Sequence, residues 1–256
     1  MLFGLSEFMP EGAGISLDTP RKKGVARLIE ILSRDLDGIF LSGSLTLLAC
    51  VPAAVLVGLA LWMGSLPLCL LAACCTDWLV GPALTGLYDT LLRALRDEPG
   101  FWWHTYKRVW KQNFKSSLLP GMIFTALWAL VGYAAFALPQ MTDVSTSFAL
   151  ILLLDAVILL TLGSYFWMQN ALFESSISKK LSNCVRMFLG FLPQTALSAV
   201  FQLGYWLLMA VVIPRCAFVF LLTGLWVPNL LAMMAVYAPI EKSLHLETLI
   251  RDVQSK

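Results

Sequence analysis

The sequence has few charged residues for its length. Asp, Glu, Lys and Arg together make up 13% of its 256 residues, whereas 59% of the residues are apolar and the mean hydropathy is +0.77. Soluble domains average about 45–50% apolar and about 25% charged residues. This imbalance argues for a membrane protein. The net charge of +2 is too small to indicate a partner.

The residue clusters that build metal centres and catalytic sites are also missing. The two histidines, His104 and His245, are far apart, and the six cysteines include no Cys-x-x-Cys pair. A zinc site is therefore not expected. The phosphate-binding loop and the His-Glu-x-x-His and Gly-x-Ser-x-Gly motifs are absent as well. We predict that the protein is not an enzyme, binds no cofactor or metal, and lacks the motor of an ATP-driven pump.

Long apolar segments are abundant, and six of them approach or exceed the roughly 20 residues that a transmembrane helix needs. Short polar or Gly- and Pro-containing connections separate them. The predicted fold class is therefore all-α, a polytopic membrane protein with six transmembrane helices and amphipathic interfacial helices on the cytoplasmic side. The segments span residues 39–63, 68–95, 116–138, 147–173, 188–213 and 216–238.

The sequence divides into three regions. Residues 1–38 are predicted to form an N-terminal arm followed by an amphipathic helix, residues 39–238 the transmembrane domain, and residues 239–256 a C-terminal tail. The first residues lack the basic start of a signal peptide, so we expect none. The polar stretch 174–187 is expected to be a loop. Pro239 is expected to end the sixth span.

The basic residues lie almost entirely on one side of the predicted membrane domain. All of them except Arg215 fall in the N-terminal arm, at the end of the second span or in the connection after it, in the fourth-to-fifth connection or in the tail. These four regions lie on one side of the membrane if there are six spans. The positive-inside rule then predicts that both termini are cytoplasmic.

The connection at residues 96–115 carries interleaved rings and cations. On a helix, its rings share one side and its cations an adjoining side. Such a helix is typical of the lipid headgroup region, and a cytoplasmic partner protein is an alternative occupant; its position between two spans argues against nucleic acid. The candidate docking or lipid surface comprises Trp102, Trp103, Tyr106, Lys107, Arg108, Trp110, Lys111, Phe114 and Lys115.

Four polar side chains within the spans share one layer, roughly 10–20 Å below the predicted outer surface at ~1.5 Å per residue. Charges at such depths are costly and indicate function by default. The four residues are therefore a candidate substrate or proton site, with interhelical hydrogen bonding as the alternative. They are Asp77, Asp155, Gln202 and Asn229.

Gly81 and Pro82 form a candidate helix break in the second span. Proline removes a backbone donor and clashes with the carbonyl four residues earlier, here that of Trp78. Broken spans often line binding sites in transporters. A simple packing kink is the alternative.

Several motifs resemble the YesL-like family of bacterial integral membrane proteins. They are Gly81-Pro82-Ala83-Leu84-Thr85-Gly86-Leu87-Tyr88, then Leu91-Leu92-Arg93, and then Trp110-Lys111-Gln112-Asn113-Phe114-Lys115. The resemblance is specific over about residues 80–116. It implies a bacterial plasma-membrane protein of undefined activity, found in genomic company with carbohydrate uptake transporters and glycoside hydrolases. It implies no catalytic residue.

Two functions follow from these patterns. The first is an accessory protein of carbohydrate uptake that docks on subunits of an ATP-driven (ABC) carbohydrate importer and contacts membrane lipids. The alternative is a small transporter or permease with a polar intramembrane site around Asp77 and Asp155. An intramembrane enzyme is disfavoured, because no nucleophile–base pair is evident.

Overall fold

The computed structural model describes residues 22–98, 100–137 and 146–244. Predictions for residues 1–21 of the arm, for most of the connection between the third and fourth spans and for the tail from residue 245 lie outside this part of the chain. The described part is helical and contains no strand. Its helices are α1 (Gly24–Trp62), α2 (Leu66–Arg96), α3 (Trp102–Gln112), α4 (Phe114–Ala137), α5 (Thr146–Leu172), α6 (Ile177–Gly190), α7 (Leu192–Val212), α8 (Ala217–Thr223) and α9 (Trp226–Leu244).

Five of these helices, α1, α2, α4, α5 and α7, are long and apolar enough to cross a membrane. Helices α8 and α9 meet at a bend of 45°, and together they make a sixth span if the bent pair is counted as one. The prediction of an all-α polytopic membrane fold is confirmed. The chain is therefore a multi-pass integral membrane protein.

The sixth span is broken at Gly224, a feature that the sequence analysis missed. Gly224 has a φ of +46°, a conformation that glycine adopts without the steric cost other residues meet. The hydroxyl of Tyr205 donates a 2.6 Å hydrogen bond to the Gly224 carbonyl. That bond satisfies a backbone acceptor which the interrupted helix leaves open.

Two helix boundaries differ from those predicted. The amphipathic helix and the first span are one helix of 39 residues, about 58 Å long and so longer than the ~30 Å hydrocarbon core. No proline lies between Gly24 and residue 39 to separate them. Pro239 lies inside α9 rather than ending the span.

The predicted polar loop at 174–187 is largely helix α6. Lys180, Cys184 and Met187 are its buried residues, and their spacing of four and three is that of one helix face. Cys184 therefore lies on a buried helical face and not in a connecting loop.

Helix α2 is the centre of the bundle. It packs against α1, α3, α4, α5 and α9, and most of its residues from Val80 onward are buried. Apolar side chains on the outer faces of the other helices are exposed, as a lipid-facing surface requires. We call the end of the bundle that holds α3, α6 and the C-terminal end of α2 the α3 end, and the opposite end the far end.

Candidate functional site

Two arginines of α1 bind the residue that follows α2. Arg27 contacts one oxygen of Asp97 at 2.7 Å, and Arg34 contacts the other. Arg27 also donates to the Leu95 carbonyl and Arg34 to the Ala94 carbonyl, each at 2.8 Å. Burial alone would raise the pKa of Asp97, but the hydrogen bonds and charges of the two arginines hold it below its usual range. This group, the arginine clamp, joins α1 to the end of α2 and caps that end.

Tyr106 anchors α3 to the bundle. Its side chain is 3% exposed, and a Cβ added at Gly86 would lie 2.8 Å from its ring. Its hydroxyl lies 3.3 Å from that of Thr46 and donates to the Ala83 carbonyl at 3.4 Å. The prediction that Tyr106 belongs to an exposed surface was therefore wrong, because the middle of the aromatic side faces the bundle.

The remaining predicted residues form the outer side of this region, which we call the α3 surface. Trp103 is 42% exposed, and the adjacent Phe101 adds a second exposed ring. The cations are arranged along the same side. The α3 surface comprises the exposed Trp103, Lys107, Lys111 and Lys115 and the half-buried Trp102, Arg108, Trp110 and Phe114.

Asp77 is fully buried between α2 and α4. Neither of its carboxylate oxygens has a hydrogen-bond partner among the described residues. The carboxylate occupies the space that a Cβ at Gly121 would need. Gly81 is also close, since its own Cβ would lie 3.1 Å from one Asp77 oxygen. Glycines on both helices thus make room for this side chain.

Asp155 lies elsewhere. It is exposed on the outer face of α5 among apolar residues, and it makes no hydrogen bond or ion pair with the described part of the chain. Asp77 and Asp155 therefore do not form one polar site. Their similar predicted depth in the membrane does not determine which neighbour each side chain faces.

Gln202 and Asn229, in contrast, line one cavity of about 620 Å³. The hydroxyl of Tyr88 donates to Asn229 at 2.7 Å. The amide of Gln202 donates to Ser164 at 3.2 Å. The structure thus brings together two of the four predicted polar residues, with Tyr88 and Ser164 as unanticipated neighbours.

Helix α2 runs unbroken through Gly81 and Pro82, so the predicted helix break was wrong. A single missing donor leaves the rest of the helical hydrogen bonds in place. Three residues after the proline, the hydroxyl of Thr85 donates to the Gly81 carbonyl at 3.0 Å. Pro82 itself is buried.

A buried lysine network at the α3 end escaped the sequence analysis. Lys180 is 2% exposed and donates to the side-chain oxygen of Asn170 at 2.7 Å. The Asn170 amide donates to the hydroxyls of Thr85 and Ser117, each at 3.0 Å. Burial lowers the pKa of Lys180, while the negative charge of Glu174 opposes this shift. The lysine network connects α2, α4, α5 and α6.

Comparison with known proteins gives one match. Residues 56–134 match a family described as "Protein of unknown function, DUF624". The matched region runs from the end of α1 through α2 and α3 and most of α4, and so includes the anchored helix and Asp77. No curated protein and no solved structure matches the chain. The resemblance to the YesL-like family stays a prediction.

Proposed function

We propose that the protein is an accessory component of carbohydrate uptake that docks through the α3 surface on a subunit of an ATP-driven importer. The observation that carries this proposal is the anchoring of α3 by Tyr106. Anchoring holds Trp103, Lys107 and Lys111 in fixed positions outside the bundle. The carbohydrate part of the proposal rests on the resemblance over residues 80–116.

The composition of the α3 surface suits a protein partner with an acidic face. Trp and Tyr dominate the binding energy of many interfaces, and cations at the rim steer association. A surface that is already ordered also loses less conformational entropy on binding. Anionic lipid headgroups offer the same charge, so an experiment must separate the two.

Affinity capture tests the docking proposal. The tagged protein would be purified in mild detergent from its own bacterium grown on complex glycans, and the captured proteins identified by mass spectrometry. The wild-type protein is expected to retain importer subunits, and the Lys107→Glu/Lys111→Glu variant is expected to retain at least about tenfold less. The control is Lys179→Glu, which reverses the charge of one exposed lysine on α6, away from the α3 surface.

Recovery of no importer subunit on any carbon source would contradict the proposal. Equal recovery by the wild-type protein and the double reversal would contradict the role of the α3 surface. Lipid binding is separated by lipid analysis of the purified proteins, since loss of co-purified phosphatidylglycerol from the double reversal without loss of importer subunits identifies lipid as the occupant.

A small transporter is the second candidate, supported by Asp77, a buried carboxylate of a membrane-spanning helix that has no hydrogen-bond partner among the described residues. Proteoliposomes loaded with the pH dye pyranine would report proton uptake when maltose or cellobiose is added. A proton-coupled transporter predicts sugar-dependent acidification that Asp77→Asn abolishes. The same signal in protein-free liposomes, or an unchanged signal in Asp77→Asn, would remove this candidate.

A further inference from the structure

The cavity of about 620 Å³ lies inside the membrane-spanning bundle. Residues of α1, α2, α4, α5, α7 and α9 line it. Its volume falls within the roughly 300–1,000 Å³ of small-molecule binding sites. The α3 surface contributes no residue to it, so this inference is independent of docking on an importer.

The walls of the cavity exclude charged and highly polar ligands. None of its lining residues carries a charge, and an ion would lose its hydration without gaining a counter-charge. Most of the wall is apolar, including Val57, Leu160, Trp128 and Trp206. A free sugar would bury several hydroxyl groups against these side chains without hydrogen bonds, which is unfavourable.

Polar groups are concentrated at one end of the cavity. Tyr88 and Asn229 are hydrogen-bonded to each other there, and Gln202 is bonded to Ser164. Both amide hydrogens of Gln202 are used, one toward Ser164 and one toward Ser198. Its carbonyl oxygen is left to accept a hydrogen bond, and a hydroxyl donor on the ligand matches it.

The depth of the polar end in the membrane further restricts the class of ligand. Tyr88, Ser164 and Gln202 lie about eight to ten residues from the α3 ends of their helices, which corresponds to about 12–15 Å. Apolar lining residues continue from there toward the far end, as far as Val57 and Gly132. A phospholipid would place its headgroup at the membrane surface, not at this depth. The site therefore suits an apolar body with a hydroxyl group at mid-membrane.

We propose that this cavity binds an uncharged lipophilic molecule with a single hydroxyl group, such as a long-chain alcohol. The hydroxyl donates to the carbonyl of Gln202, beside Ser164, Tyr88 and Asn229. The apolar body extends toward the far end between α1, α4, α5 and α7. Such a molecule dissolves in the bilayer and reaches the cavity by lateral diffusion.

Photolabelling of the full-length chain in nanodiscs tests this proposal. The probe is hexadecan-1-ol with a mid-chain diazirine, and labelled peptides are identified by mass spectrometry. Labelling is expected at the cavity-lining parts of α1, α5 and α7, and unlabelled hexadecan-1-ol is expected to compete. Hexadecyl phosphate, which has the same chain and a charged head, is expected to compete at least tenfold less well.

Two variants and one control locate the site. Ala156→Phe fills the cavity and is expected to reduce competed labelling at least fivefold. Gln202→Leu removes the acceptor at similar volume and is expected to abolish the preference for alcohol over the methyl-ended hexadecane. Leu153→Phe adds bulk on the exposed face of the same helix and is expected to change neither result.

Three outcomes would overturn the proposal. The first is labelling spread evenly over outward-facing residues without competition. The second is labelling by Ala156→Phe that equals the wild-type level. The third is an unchanged alcohol preference in a Gln202→Leu protein whose melting temperature matches that of the wild-type protein.

Discussion

The α3 end and the far half of the bundle are stabilised in different ways. At the α3 end, ion pairs and hydrogen bonds link polar side chains of different helices into connected groups, as in the arginine clamp and the lysine network. The far half packs small and apolar residues around an open cavity. Removing one group at the α3 end leaves a partner unpaired, whereas a larger side chain on the apolar wall of the cavity leaves no polar group unpaired. The α3 end is therefore suited to present a fixed surface, and the far half to accept a ligand.

The largest effect is expected from Asp97→Asn, which neutralises the centre of the arginine clamp. Asparagine tolerates the left-handed conformation of this residue, whose φ is +61°, so the change isolates the charge. Because Arg27 is buried, the free energy of unfolding should fall by about 3 kcal/mol. Denaturation in mixed micelles measures it. Asp35→Asn, in an exposed pair with Arg34, should cost less than about 1 kcal/mol, and equal losses in the two variants would contradict the clamp.

The same residue makes the stability of the α3 end dependent on pH. Since the pKa of Asp97 is lower in the folded protein, its contribution is fully present above about pH 4, the ordinary range for aspartate. The contribution is lost as the pH falls through the folded-state value. The difference in unfolding free energy between the wild-type protein and Asp97→Asn should therefore shrink on acidification. A difference that is constant from pH 7 to pH 3 would count against this account.

A smaller effect, of about 2 kcal/mol, is expected from Gly121→Ala in the tightly packed seam between α2 and α4. The new methyl group would overlap the Asp77 carboxylate. Adding Asp77→Ala to the Gly121→Ala protein should restore most of the lost stability. Thermal melting in detergent of the wild-type protein, the single variant and the double variant measures this recovery. Gly132→Ala, on the same helix with open space around it, is the matched control. Failure of Asp77→Ala to rescue would show that the two residues are not in contact.

Lys180→Met should cost about 1–2 kcal/mol, because the side-chain oxygen of Asn170 loses its buried donor. Burial lowers the pKa of Lys180 in the folded protein, so the wild-type protein should gain stability as the pH rises from that value toward the ordinary lysine value near 10.4. Lys180→Met should lack this gain. The exposed neighbour Lys179→Met is the control, and a similar pH profile in wild-type and Lys180→Met proteins would argue against a buried cation.

The smallest effect is expected from Asp155→Leu on the outer face of α5. The residue has no partner in the described part of the chain, so the change should leave the unfolding free energy in detergent within about 0.5 kcal/mol. The monomer fraction measured by light scattering should not change either. A large loss of stability together with dissociation of an oligomer would show that Asp155 faces a second copy rather than lipid.

Hydropathy predicted the membrane fold because span length and apolar content are properties of the sequence alone. The rotation of each helix about its own axis, in contrast, cannot be obtained from span length and apolar content. Asp77 and Asp155 lie at similar depths, but one faces α4 and the other faces outward. Gln202 and Asn229 share a cavity because α7 packs against α9. No periodicity within either segment indicates that pairing.

The α3 and α6 predictions failed for related reasons. Helical spacing correctly placed Tyr106 on the aromatic side of α3, but it could not show that the middle of that side is covered by Gly86. In α6 the polar composition masked a helical signal, the spacing of Lys180, Cys184 and Met187. A buried lysine cannot be distinguished from a solvated one in the sequence unless its partner is known. Here that partner is Asn170 on another helix.

Hydrogen exchange of α3 in nanodiscs tests the central claim, that Tyr106 fixes this helix to the bundle, most directly. Peptides covering Trp102–Gln112 should exchange slowly in the wild-type protein, and at least about tenfold faster in Tyr106→Ala. Gly132→Ala, which lies far from α3 in α4, should leave that rate unchanged. Exchange of these amides at the rate of an unfolded chain in the wild-type protein would contradict an anchored α3 and, with it, a preformed docking surface.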